Sequence, residues 1–474
     1  MDRLAVARAA LDACTWRPSR ARVFVTTRPK AREIHEPAFA DRVVHHWLVA
    51  QLEVLYESVF IHDSYANRRG KGTHAAVARL QTFMRQATRN GARRAYALQL
   101  DIANYFNTID RRRLFGLISR RLDHSARRDR SQADTYARLA KITRRLLTGN
   151  PAHGAQRLGA PRRFDRVPKH KRLANALPER GLAIGNLSSQ FFANVYLNEL
   201  DQYIKHVLKC RWYVRYVDDL VLIHDDPDRL VKWRERIEGF IDEHLGLKLR
   251  PPASEPVAVS RGVDFLGYIV RTKYLLPRRR VVESADRCLA RWHARLFGPS
   301  GMILDRNARS TLQNALASYL GHFRHASCSR VLARLWTRHP WLDLLFLRAG
   351  SKVMSKMSAP LETSLACQYS WFTSQYPNAI VWMQVGANWE CYGIGATLVS
   401  QRYGLAQLLE PRANIGIRIV VPVTNWHRWQ AIFARDGIAV IAAEQCGRAR
   451  NHRHGLRQRA LSYVSPAGVE VGRL

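Results

Sequence analysis

Two short stretches set aspartate at or beside apolar, strand-forming residues: LQLDIANYF at 98–106, which contains Asp101, and RYVDDLVLIHDD at 215–226, which contains the adjacent pair Asp218 and Asp219. A carboxylate in such surroundings is costly to bury unless something cationic compensates it. Two Mg2+ ions about 3.5–4 Å apart would do so, one raising the reactivity of an attacking hydroxyl and the other steadying a leaving phosphate. Mg2+ prefers a few carboxylates completed by substrate phosphates, which suits three aspartates and no histidine cluster. Alone, an Asp-Asp pair is most often a solvated turn; here a third aspartate stands in a second strand-like segment.

The elements that must hold these groups are legible around them. AYALQLDI at 95–102 and WYVRYVDDLVLIH at 212–224 are short β-branched or aromatic runs suited to buried strands, with the YVDD turn between two apolar halves. Residues 38–58 carry apolar side chains at helical spacing, and a second helix is expected from Ser188 to about Leu208 with serine as its cap. The basic, proline-containing stretch 150–180 reads as a long surface loop.

Bulk composition narrows the partners. A chain of 474 residues has room for several cores, and 47% hydrophobic with 24% charged residues marks it as globular. The formal net charge of +38, from 76 Lys and Arg against 38 Asp and Glu, points to a polyanion, with nucleic acid ahead of membrane because no long apolar stretch exists. Residues 351–474 hold 13 Lys/Arg and 6 Asp/Glu, a net of +7, which leaves +31 in residues 1–350. The polyanion is therefore expected on the first three quarters. Seven scattered cysteines without a CxxC pair argue against a zinc ribbon or a disulfide framework and fit a reducing cytoplasm.

Four phrases, LDIANYFNTID, GLAIGNLSSQFFANVYLNELD, YVRYVDDLVLI and VDFLGY, occur in the order of reverse-transcriptase motifs A, B, C and E, and the chain resembles that family from about residue 28 to 336. It is most similar to reverse transcriptases of diversity-generating retroelements, with IGNLSSQ at 184–190 where QGxxxSP is usual. The resemblance implies Asp101, Asp218 and Asp219 as catalytic metal ligands for two Mg2+, with Mn2+ as a substitute, and the main-chain carbonyl of Ile102 as a further ligand. It implies that Phe106 excludes a ribonucleotide 2′-hydroxyl, that Arg68 and Lys71 face the triphosphate, that Arg32 meets template, and that Gly185 and Gln190 lie at the nucleotide. Ile184 replaces a glutamine there, removing a polar contact and suggesting errors opposite template adenine. Phe265, Leu266, Gly267 and Tyr268 match the primer grip. The usual lysine after motif C is missing at Pro252 and Ala253, leaving Lys248 or Arg250 as substitutes.

The C-terminal quarter holds no nuclease or metal motif. Its phrases VWMQVGANWECYGIGA, ANIGIRIVVPV and RQRALSYVSPAG resemble the mismatch-recognition domain of MutS proteins. Glu390 stands at the base-bonding glutamate, but Asn388 replaces the wedging phenylalanine, with Trp389 beside it. Binding of mismatched duplex and simple docking are both open readings of that domain.

The fold expected is α+β and multidomain: a right-hand polymerase with fingers and palm at 1–274 and thumb at 275–349, a linker at 350–362, and a small α/β MutS-like mismatch-binding domain at 363–474. The function expected is RNA-directed DNA polymerase, making error-prone cDNA for targeted diversification in a bacterial or phage-encoded system. Its expected partners are template RNA, cDNA or DNA, dNTPs and an accessory variability protein, with no membrane. A defence-associated reverse transcriptase and a non-catalytic nucleic-acid-binding protein are the alternatives; three retained aspartates weigh against the latter.

Overall fold

In the computed structural model, which describes residues 3–27, 30–349, 352–360, 364–410, 416–446 and 457–471, the two apolar runs form the strands their pattern predicts. Tyr96–Asp101, Trp212–Tyr216 and Asp219–His224 join a short strand, Val257–Ala258, in a four-stranded antiparallel sheet. The central neighbours pair from Tyr96 opposite His224 to Asp101 opposite Asp219. Leu98, Leu100, Leu220 and Leu222 bury themselves against helices Phe39–Tyr56, Arg111–Arg128, Leu187–Gln202 and Pro227–Phe240 in one continuous core. That burial gives the sheet its stability and fixes its register, because a slip of one residue would turn these leucines outward.

The chain divides into two compact units, residues 1–274 and 275–474. In the first, strands Arg22–Thr26 and Arg32–Glu36 form an antiparallel hairpin, and Gln156–Arg157 adds a parallel strand to its edge. The stretch 150–180 is thus mostly irregular but anchored, with Phe164 and Val167 buried against Val23 and Val25. The second expected helix runs from Leu187 to Gln202 and continues as a wider turn over Tyr203–Val207. Its cap position is Asn186, not Ser188, whose hydroxyl instead lies 2.6 Å from His45 Nδ1.

In the second unit, helix Arg279–Leu296 buries Ala285, Leu289, Trp292 and Leu296, the spacing of one helical face. Those side chains share a core with Leu312 and Leu316 of helix Arg306–Phe323 and with Val381, Met383, Ile441 and Leu461 of the C-terminal strands. An eight-stranded sheet runs in the order 297–298, 301–303, 458–464, 440–446, 380–385, 388–392, 416–422 and 408–410. Its first hairpin therefore comes from the segment expected as thumb. Gly301 makes the junction possible: at φ +103°, a Cβ there would lie 2.2 Å from the carbonyl oxygen of Val464.

Part of the expected linker is ordered as well. Phe346–Ala349 pairs with Lys352–Ser355, and Met357 and Ala359 are buried; residues 350–351 and 361–362 lie outside the described set. Ala359 here serves close packing, a role that composition does not separate from flexibility. All seven cysteines are free thiols. Among the described residues no helix is long and apolar enough to cross a membrane.

Candidate active site

The sheet register brings the aspartates together. Asp101 ends its strand directly opposite Asp219, and Asp218 sits in the two-residue turn before it, where Val217 takes a left-handed φ of +54°. Burial raises the pKa of Asp218, and the nearby charge of Asp101 raises it further. Asp101 is likewise raised by burial, against the pull of Arg250. Its Oδ1 is buried without a hydrogen-bond partner, while Oδ2 is in contact with the Arg250 guanidinium. Among the described residues no three His, Cys, Asp or Glu side chains form a ready-made metal cluster. The groups nevertheless fit a divalent cation, since an orphaned carboxylate oxygen beside a second disfavoured carboxylate is a deficit of positive charge. Ile102 is fully buried, and its backbone bridges to Leu249.

Arg250 donates its backbone N–H to the Asp101 carbonyl at 2.8 Å, so both its backbone and its side chain hold that residue. Of the two substitutes named for the absent lysine, Arg250 is the one in contact with an aspartate of the set. Lys248 contributes its carbonyl to Ala103 N–H at 2.8 Å.

The remaining residues fall into three groups. Phe106 is half-buried beside Tyr105, and its carbonyl accepts from Leu182 N–H at 2.7 Å, which places segment 181–185 against it. In that segment Ile184 carbonyl accepts from His35 N–H at 2.8 Å, and Gly185 sits at φ +120°, where a Cβ would also come within 2.8 Å of the His35 carbonyl. Its close approach is therefore to the chain's own fingers strand. Gln190 is part-buried in the first turn of the following helix.

Arg68 and Lys71 are more engaged than expected. The Arg68 guanidinium bonds Glu57 at 2.7 Å and the carbonyls of Ile61 and Ser64 at 2.7 and 2.9 Å, which makes it a strut of its turn. Lys71 donates to His62 carbonyl at 2.9 Å and lies 4.7 Å from the centre of the Tyr65 ring; burial and then Arg68 lower its pKa. Arg32 is exposed at the start of its strand.

Phe265 and Tyr268 are buried and pair across a hairpin whose tip is Leu266 and Gly267, both at positive φ. Gln99 of the aspartate-bearing strand donates to the Asp264 carbonyl at 2.6 Å, tying this hairpin to the sheet.

A buried network missed in the sequence supports the turn. Arg215, fully buried, donates to both oxygens of Asp201 at 2.8 and 2.6 Å, to Asn194 Oδ1 at 3.1 Å and to the Val217 carbonyl at 3.0 Å. Burial opposes its charge, but Asp201 outweighs that and raises the guanidinium pKa. Its backbone also bonds Asp63 and Tyr65, so one residue joins the fingers turn, the Leu187–Gln202 helix and the aspartate turn. The available signal was an arginine in phase with buried Tyr213 on an otherwise apolar strand.

In the second unit Glu390 is 4% exposed, accepting from Tyr392 Oη at 2.6 Å and from Arg418 Nη1 at 3.1 Å. Trp389 is buried and stacked on Trp426 with centroids 4.6 Å apart, and Asn388 is half-buried. Glu390 thus holds the sheet face together with both oxygens, and a base could reach it only by displacing those partners. Glu390→Ala is expected to cost about 2–3 kcal/mol by removing a buried carboxylate that accepts from Tyr392 and Arg418, seen as a lower urea midpoint.

A family model described as reverse transcriptase (RNA-dependent DNA polymerase) matches residues 26–270, and one for MutS domain I matches residues 363–470. The chain is similar to Protein YkfC of Escherichia coli strain K12, 25% identical over 58% of this chain and 72% of that protein. It is also similar to nuclear intron maturase 1, mitochondrial, of Arabidopsis thaliana, 22% identical over 53% of this chain and 43% of that one. A third relative is group II intron-encoded protein LtrA of Lactococcus lactis subsp. cremoris, 24% identical over 52% and 45%. The chain spans less than half the length of these last two relatives. Among solved structures, telomerase from Candida albicans with a fragment of telomeric RNA aligns at TM-score 0.38 and 11% identity, covering 71% of this chain and 63% of that one. Apo telomerase from Candida tropicalis aligns at 0.39 and 12%, covering 68% and 60%. With a family match spanning more than half its length and including the sheet that sets Asp101 opposite Asp219, the chain belongs to the reverse transcriptase (RNA-dependent DNA polymerase) family.

Proposed function

We propose that this protein is an active RNA-directed DNA polymerase whose carboxylates are Asp101, Asp218 and Asp219. The observation that carries the reading is the orphaned, buried Oδ1 of Asp101 beside Asp218, whose pKa is raised by burial and by Asp101 itself. Those two residues, with Asp219 and the Ile102 carbonyl, would hold two Mg2+ ions, or Mn2+ in their place. Once bound, such ions make a primer hydroxyl a better nucleophile and neutralise charge on the departing pyrophosphate. The chain supplies position. Phe106, braced by Tyr105 and Leu182, bounds the sugar and discriminates against a 2′-hydroxyl. Arg250, on the rim of the same carboxylate, offers its remaining N–H groups to substrate phosphate. The Phe265–Tyr268 hairpin, fixed by Gln99, keeps the primer end in line. Template RNA, a DNA product and dNTPs are the partners. Primer extension on an RNA template with Mg2+ tests this reading, and absence of product with Mg2+ and with Mn2+ would refute it.

The setting we favour is targeted mutagenesis by a diversity-generating retroelement, in a bacterial or phage-encoded system working in the cytoplasm with an accessory variability protein. Ile184 in place of a polar residue supports it, since an apolar side chain leaves the pairing nucleotide less constrained. Ile184→Gln is expected to lower misincorporation opposite template adenine by about tenfold, read by sequencing the cDNA. Unchanged adenine errors would break the link. The MutS-like domain is assigned to product or target duplex, through surfaces other than the buried Glu390.

A further inference from the structure

A cavity in the first unit has none of Asp101, Asp218 or Asp219 in its walls. It measures about 800 Å3 and opens between segment 17–21, the start of helix Phe39–Tyr56, the loop after helix Ala133–Thr148, and residues 181–192. A volume of this order is within the range of roughly 300–1,000 Å3 typical of ligand sites.

Its lining is strongly cationic. Four arginines, Arg17, Arg20, Arg111 and Arg145, face it against one carboxylate, Asp41. Asp41 is already occupied, accepting from Trp16 Nε1 at 3.2 Å and from the Ser19 backbone N–H at 2.9 Å, and also contacting the Ser19 hydroxyl. Three of the arginines are held in place by a backbone carbonyl each: Arg20 by Gly154, Arg111 by Gly149 at 2.7 Å and Arg145 by Trp16 at 3.0 Å. A guanidinium has five N–H donors, so one such bond orients it and leaves others for a ligand. Arg111 is only 7% exposed, and its Nε is buried with no partner. Asn186 Oδ1 on the same wall is also buried and unpartnered. An orphaned donor and an orphaned acceptor in one cationic cavity are the complement of a ligand that carries both an anion and a hydrogen-bonding edge. His45 on the floor is held neutral, its pKa lowered to about 4 by burial, so it adds a polar contact and no charge.

We propose that this cavity seats one nucleotide unit of a single-stranded nucleic acid, its phosphate on the arginines and its base against Asn186 and Arg111, apart from the primer–template duplex. A strand is favoured over a free mononucleotide because the basic rim continues past the mouth. Ala21 and Gly154 on the wall lead directly into the paired strands Arg22–Thr26 and Gln156–Arg157, with Arg157 exposed and Arg22 exposed but paired with Glu36 at 3.0 Å. The seat stands on this lining and not on the polymerase assignment.

The test uses the full chain with its duplex-binding cleft pre-filled by an RNA–DNA hybrid. Binding of a short labelled oligouridylate, oligothymidylate or UMP is then followed by fluorescence anisotropy or competition. The Arg17→Ala/Arg20→Ala double variant is expected to weaken strand binding by about tenfold or more while primer extension on the pre-formed hybrid is unchanged. Should the double variant fold poorly, Arg17→Glu alone, at an exposed position, carries the same expectation. A 4-thiouridine strand should crosslink to residues 17–21 or 145–154. Affinity unchanged within about twofold, UMP binding as tightly as the strand, or crosslinks only outside these segments would overturn the proposal. Preference between the RNA and DNA strands identifies which one the seat takes.

Discussion

Asp218→Asn is expected to reduce primer extension by about a thousandfold or more, because on the proposed reading it removes a charged metal ligand beside Asp101, whose Oδ1 has no partner in the fold. The same change is expected to stabilise the metal-free fold. Burial and Asp101 raise the pKa of Asp218, so the folded chain keeps that proton to a higher pH than the unfolded chain does. The group therefore favours folding in acid, and that contribution is lost as pH rises through the folded-state value. At pH 7 asparagine relieves the repulsion, and the thermal midpoint should rise; in acid the difference should shrink. Apparent Mg2+ affinity should weaken toward acid pH, since protons compete with the ion for Asp218 and Asp101. An Asp218→Asn variant that keeps near-normal extension would end the assignment of this residue. A lower midpoint at pH 7 would contradict the electrostatic account.

The second large effect is expected at Arg215. Arg215→Met leaves the Asp201 charge buried and unpaired, a change that costs about 3–5 kcal/mol in comparable settings. Removing both charges, as Arg215→Met with Asp201→Leu, should recover most of that stability, since a buried ion pair replaced by apolar groups is often nearly neutral. Activity should not recover with it. The Val217 carbonyl still loses its donor, and the left-handed turn that aims Asp218 loses its brace. Denaturation curves and extension rates on the two variants separate these effects; a double variant restored in both would reduce Arg215 to a packing role.

The parts of the fold that could be read in the sequence are those where one local pattern decides. The short β-branched or aromatic runs at 95–102 and 212–224 give the strands, and the YVDD phrase between two apolar halves gives the turn. What escaped depends on which of several possible partners the packing supplies. Ser188 has the right type for a cap, but His45, far away in the chain, claims its hydroxyl. Arg68 sits where a free cation was expected, and Glu57 and two carbonyls take it up. Glu390 occupies a recognition position by order in the chain, yet Tyr392 and Arg418 bury it. A side chain's type states what it can bond; only packing states with what.

The sharing of strands across 275–474 has a consequence for how such a chain can change. Excising residues 363–474 would strip strand Gly301–Ile303 of its neighbour Gln458–Val464 and uncover Leu312 and Leu316. The helices that precede that point would then present greasy flanks to water and to one another, inviting clumping. Insertion or loss of a module at that border is therefore penalised by solubility before any question of catalysis arises.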